Sequence, residues 1–230
     1  MKLNVGSFYT KLYDITDHTP CKVDTPPRLG AYIIDWVVGG IFTGLPAVFI
    51  YSGIAKKTDF FSDLYVFESL GMESYWGFLT GFLCLLFALF YYVFVPLKIY
   101  RGQTFGKRMA GFKIVKTNGD EVDLKSLLIR QILGIFILES AAFIISNYLR
   151  QLTTLSLHFY VDYVWSLAGM IITLLSFILV LRTDSHRAIH DYLANTCVVP
   201  LHKEDEETKP NKQATTKANT VKNSQKKKRK

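Results

Sequence analysis

Long apolar runs separated by short polar stretches dominate the chain between Leu29 and Leu181. A helix rises about 1.5 Å per residue, so crossing roughly 30 Å of hydrocarbon takes about 20 mostly apolar residues. Four runs reach that length. The first, about Leu29 to Gly53, contains AYIIDWVVGGIFTGLPAVFIYSG, with Pro46 placed to kink it. The second, about Trp76 to Leu97, is WGFLTGFLCLLFALFYYVFVPL and carries no charge. The third, about Leu124 to Leu149, is interrupted by Arg130, Gln131, Glu139 and Asn147, and the fourth, about Val161 to Leu181, is apolar after Asp162. The pattern predicts an all-α integral membrane protein, a four-transmembrane-helix bundle.

Between the second and third runs, GFKIVKTNGDEVDL places two short β-prone stretches around Thr117-Asn118-Gly119-Asp120. Asn-Gly is the strongest two-residue hairpin signal, so a small cytoplasmic hairpin is expected there. After His202 the chain turns polar and charged and ends in KKKRK, a composition that predicts disorder. The expected organisation is an N-terminal segment over 1–26, a transmembrane domain over 27–200 and a disordered tail over 201–230. The first thirty residues carry Asp14, Asp17, Asp24 and Pro26-Pro27 and lack a short apolar core, so no cleavable signal peptide is expected.

Charge sets the orientation. The net charge of +8 is concentrated at the C-terminus, where ten Lys/Arg against four Asp/Glu supply +6 and leave +2 for the rest. The folded part thus has no basic footprint for nucleic acid. The loop from Lys98 to Lys125 holds seven Lys/Arg, whereas the loop between the third and fourth runs holds Arg150 alone. By the positive-inside rule, both termini and the central loop are expected in the cytoplasm, with the chain in the inner or plasma membrane. Cys21, Cys84 and Cys197 form no C-x-x-C pair and are expected to be isolated thiols.

The candidate chemistry lies in ionisable residues at membrane depth. Arg28 and Asp35 are seven residues apart and share a helix face about 10 Å apart. Asp35, about a third of the way into the hydrocarbon, needs compensation, and Arg130 on the third run falls at a matching depth. Asp35 and Arg130 are therefore a candidate buried pair, serving either helix assembly or transport. Glu139 lies beyond the midplane with no basic residue at its level in the other runs, a candidate proton or cation site. His186 and His190 have the i, i+4 spacing of a metal pair. HRAIH lacks the glutamate of H-E-x-x-H and no third ligand is identifiable, so a polar interfacial helix is the preferred reading and no metal is expected. Gly102-Gln103-Thr104-Phe105-Gly106-Lys107 is one residue short of a P-loop and is followed by Arg108, which argues against nucleotide binding. No Ser/His/Asp or Cys/His arrangement is present in sequence, so the chain is expected to be neither an enzyme nor cofactor-dependent.

Three ordered motifs carry a resemblance: RLGAYIID at Arg28 to Asp35, GQTFGKRMAGFKIV at Gly102 to Val115, and RAIHDYLANTCVV at Arg187 to Val199. Over roughly Pro27 to Pro200 the chain resembles the RDD family of mainly bacterial membrane proteins, named for one arginine and two aspartates. The resemblance implies that Arg28, Asp35 and Asp191 are those residues, with Asn195 standing where many relatives have glycine. It also implies a transport role. Two expectations follow: a small transporter or ion/proton exchanger that uses Asp35 and Glu139, closed on the cytoplasmic side by Arg28 with Asp191; or a non-transporting scaffold or regulator that binds a partner protein or anionic lipid through its loop and tail. The expected partners are the lipid bilayer, anionic headgroups at the basic tail, and a second copy of the chain through small residues such as Gly39, Gly40 and Gly44.

Overall fold

A computed structural model describes residues 23–56, 63–140, 144–183 and 185–201. The chain divides into two units, Met1–Pro200 and Leu201–Lys230. The tail expected to be disordered lies outside the described residues, apart from Leu201.

Among the described residues three helices are long and apolar enough to cross a membrane: Thr25–Ile54, Tyr75–Ile99 and Asp162–Arg182. Helix α1 (Thr25–Ala55) opens with Pro26 and Pro27 in its first turn, where a missing N–H costs nothing, and runs on through Pro46. It ends at Lys56, which turns into the left-handed region and donates its N–H to the Ser52 carbonyl at 3.0 Å. After the single turn α2 (Val66–Ser69), helix α3 (Tyr75–Leu89) continues in π-helical form over Phe90–Ile99. A short helix α4 (Phe105–Met109) and strand β1 (Phe112–Lys116) follow.

The third predicted span is broken. Helix α5 (Leu124–Leu128) starts at Asp123, whose carboxylate accepts the Ser126 N–H at 2.8 Å, and extends in π-helical form over Ile129–Leu138. Glu139 then leaves helical geometry (φ −88°, ψ 47°) while its N–H still bonds the Gly134 carbonyl at 2.8 Å. Helix resumes as α6 (Ile144–Leu157). The one helix expected over Leu124–Leu149 is thus two, and the break falls at one of the polar interruptions of the run. Helix α7 (Asp162–Arg182), the short α8 (Ile189–Leu193) and strand β2 (Thr196–Pro200) complete the order.

The mostly helical architecture expected is found, with one small addition, a two-stranded antiparallel sheet that pairs Phe112 with Pro200 and Lys116 with Thr196. The hairpin expected within 111–124 is reduced to a turn closed by the Lys116 N–H to Asp120 carbonyl bond at 2.9 Å and a lone bridge between Val115 and Glu121. The ladder goes to β2 instead, because Cys197 and Val198 bury against Val115 and the apolar cluster of Ala31, Val93, Phe112, Ile114 and Leu127. This cluster fixes the sheet to one end of the helices, called the sheet end below.

Helices α1, α3 and α6 pack closely because glycines thin their faces. Gly39 abuts the Tyr91 and Tyr92 rings, and a side chain on Gly40 would stand 3.0 Å from Ile144. These small residues, expected at a contact between copies, are used inside the chain. The outward faces carry uncovered Ile33, Ile41, Phe49, Phe82 and, along α7, Val164, Ile171, Leu174 and Ile178. Such a continuous apolar surface suits hydrocarbon rather than water. Cys84 is a buried free thiol, whereas Cys197 is disulfide-bonded, which corrects the expectation of isolated thiols.

Candidate functional site: three buried carboxylates

Asp35, Asp191 and Glu139 each gather a separate set of ligands. Asp35, on α1, is 3% exposed. One carboxylate oxygen accepts the Tyr91 hydroxyl at 2.9 Å and the Gly106 N–H at 2.8 Å; the other accepts the Thr104 hydroxyl and the Lys107 ammonium, the latter at 3.0 Å. The Tyr92 hydroxyl donates to the Asp35 carbonyl at 2.9 Å. The Gly-Gln-Thr-Phe-Gly-Lys run thus does cradle an anion, the chain's own carboxylate. Gly106 permits it, because a side chain there would press on the Ala31 carbonyl and the Asp35 carboxylate. Arg130 is not its partner, which corrects the pairing inferred from depth. A loop that folds back to the helix is invisible to a count of helical rise.

Asp191, on α8, is fully buried between two arginines from distant parts of the chain. Arg28 Nη2 lies 2.9 Å from one oxygen, and Arg130 Nη1 bonds the other. The carboxylate also accepts the Ala188 N–H at 3.1 Å, and Arg130 Nη1 donates to the Thr196 hydroxyl at 2.7 Å. Arg28 reaches the His186 carbonyl as well, while Arg187 donates to the carbonyls of Asp191 and Thr196, both at 3.1 Å, and stacks over Tyr192. Burial alone would raise the Asp191 carboxyl, but the charges of Arg130, His190 and Arg28 override it and hold the group well below the usual carboxylate range. Five positions apart, Asp191 and Thr196 bind the same arginine, so the turn at Ala194-Asn195 matters. Asn195 adopts φ 48°, which explains why glycine suits that place and why asparagine, the next best residue there, can stand in.

Glu139 sits at the break between α5's extension and α6. It accepts the Ser176 hydroxyl at 2.7 Å, the His190 N–H at 3.0 Å and a bond with His190 Nδ1 at 2.8 Å. Glu139 is therefore not alone, which corrects the sequence expectation; its basic partner comes from α8, outside the apolar runs. The other imidazole nitrogen of His190 is 3.7 Å from Asp191. Close approach of α8 depends on Gly134, where a side chain would stand 2.5 Å from the His190 Cβ. His186 is turned elsewhere, its Nδ1 bonded to the Val180 carbonyl at 2.7 Å, so the two histidines do not share a site. At the other end of the helices, Arg150 bonds Asp162 and donates to the Ser140 carbonyl at 3.0 Å, tying the broken segment to α7.

The sequence model of the RDD family matches residues 24–195, about three quarters of the chain. The chain belongs to the RDD family. No curated protein and no solved structure matches it. An RDD protein with three long apolar helices is a multi-pass membrane protein. In this RDD chain the arginine and aspartate of the first motif do not bond each other: Arg28 is on Asp191, and Asp35 is on the second motif. Lys107, Thr104, Tyr91, Ser176 and Arg187 as ligands had no signal in the sequence except that three of the five lie inside the three motifs, and His190 was marked only by its spacing from His186.

Proposed function

We propose that this RDD protein is a small transporter or ion/proton exchanger of the cell membrane, in which Glu139 and His190 carry the ion. The observation that carries this reading is the helix broken at Glu139, where a buried carboxylate is ligated by an imidazole and a hydroxyl. Discontinuous helices are where membrane proteins place ion sites, since backbone released from helical bonding is tolerated only around a cavity or a ligand. Intramembrane ionisable groups are retained at a cost because they serve a pathway. The pair holding one proton is neutral. Loss of that proton leaves a carboxylate that can take a cation beside Ser176, so proton and cation compete for one place.

In this account α5 with its extension and α6 form the fourth crossing. The sheet end and both termini are cytoplasmic, and the Arg28–Asp191–Arg130 clamp closes that side, with Asp35 and Lys107 pinning the loop. No group in it acts as an enzyme's catalyst, and no cofactor is needed. A homodimer would meet through the outward faces of α7, since Gly39, Gly40 and Gly44 are packed internally.

One observation favours the second reading, a scaffold or regulator that binds a partner protein or anionic lipid through loop and tail: all three carboxylates already have full ligand sets. Proteoliposomes loaded with a pH dye separate the two. Transport predicts cation-driven proton flux in the wild type that is lost in Glu139→Gln and strongly reduced in His190→Gln. Equal flux in Glu139→Gln, or none in the wild type with any alkali cation, sinks the transport reading.

A further inference from the structure

An open cleft lies where the π-helical extension of α3 meets the sheet. Its lining combines the apolar Pro96, Leu97 and Val122 with the charged Arg101, Lys113 and Glu121. The wall is rigid. Gly102, at φ 72°, donates its N–H to the Pro96 carbonyl at 2.7 Å and accepts the Ile114 N–H at 2.8 Å. A side chain on Gly102 would collide with the Ile114 backbone.

We propose that this cleft binds the phosphate of an anionic phospholipid headgroup, with an acyl chain running down from Leu97. Three observations converge. The cleft is at the end of the apolar helix Tyr75–Ile99, the plane at which lipid phosphates concentrate. Arg101 spends one nitrogen on Glu121, 3.1 Å from both oxygens, in a pair 76% and 69% exposed; its other guanidinium nitrogens have no partner among the described residues. So exposed a pair holds weakly and yields readily to a doubly coordinated phosphate. On the same helix segment Phe94 and Ile99 are uncovered, which gives a chain an apolar surface to follow. Apolar and basic lining residues at the end of an apolar helix together select a lipid over a soluble anion.

The test uses the full chain in a neutral detergent, titrated with short-chain phosphatidylglycerol, short-chain phosphatidylcholine or inorganic phosphate, with thermal unfolding as readout. Phosphatidylglycerol is expected to raise the midpoint and the other two are not. Arg101→Gln with Lys113→Gln should weaken the phosphatidylglycerol effect roughly 10- to 30-fold, at about 1 kcal/mol per basic residue. Glu121→Gln should strengthen it, which keeps the test open should the double variant fold poorly. Replacing Lys226, Lys227, Lys228, Arg229 and Lys230 by Gln should leave the effect in place. An undiminished effect in the double variant, its loss on neutralising the tail, or equal stabilisation by inorganic phosphate would each overturn the proposal.

Discussion

Replacing Asp191 by asparagine removes one charge and leaves two arginines facing each other. The Arg28 and Arg130 side chains are only 12% and 3% exposed, so water cannot take over the lost partner. Breaking a buried pair by deleting one member costs roughly 3–5 kcal/mol, far more than an exposed pair. Asparagine can still accept the Ala188 N–H, which places the cost toward the lower end. For a chain of this length 1 kcal/mol shifts the midpoint by about 2–4 °C, giving an expected fall of roughly 6–20 °C. Thermal unfolding of wild type and Asp191→Asn in one detergent measures it. A shift under about 2 °C would refute the claim that Asp191 holds the arginines together. The pH dependence follows from the same clamp. The folded carboxyl is depressed, so its stabilisation is fully present above the unfolded value near 4 and fades as pH falls through the lower folded value. The gap between wild type and variant should be constant from about pH 7 to 5 and shrink in stronger acid.

Substitutions at three further positions probe the frame around the site. Gly102→Ala, at φ 72° with the Ile114 backbone in the way, should lower the unfolding midpoint by more than the roughly 1–2 kcal/mol of a left-handed residue alone. Asn195→Gly should be neutral within about 0.5 kcal/mol, while Asn195→Val at φ 48° should cost about 1–2 kcal/mol, both read by thermal unfolding. Asp123→Ala removes the cap of α5 and its bond to Lys116 at 2.7 Å; the loss of the cap should cost about 1 kcal/mol and leave flux unchanged.

Apolar periodicity and run length were enough to find the helices long and apolar enough to cross a membrane, Thr25–Ile54, Tyr75–Ile99 and Asp162–Arg182 among the described residues, because lipid imposes length and composition on any crossing segment. The same count could not see the break at Glu139. Apolar residues continue on both sides of it, and what ends the helix is a ligand set that arrives from residues 176 and 190. The buried charges were visible as costs that something had to offset, but depth along a helix names a level and not a partner. Asp35 found Lys107 through a loop, and Arg130 found Asp191 through the chain after α7. The strand at Phe112–Lys116 was legible from its β-prone residues; its partner Thr196–Pro200 was not, since pairing across some eighty residues leaves no local mark.

Proton flux driven by an alkali-cation gradient, in proteoliposomes holding equal amounts of folded wild type or Glu139→Gln, tests the central claim most directly. The account predicts flux in the wild type and background in the variant. Flux of the same size in both would contradict it.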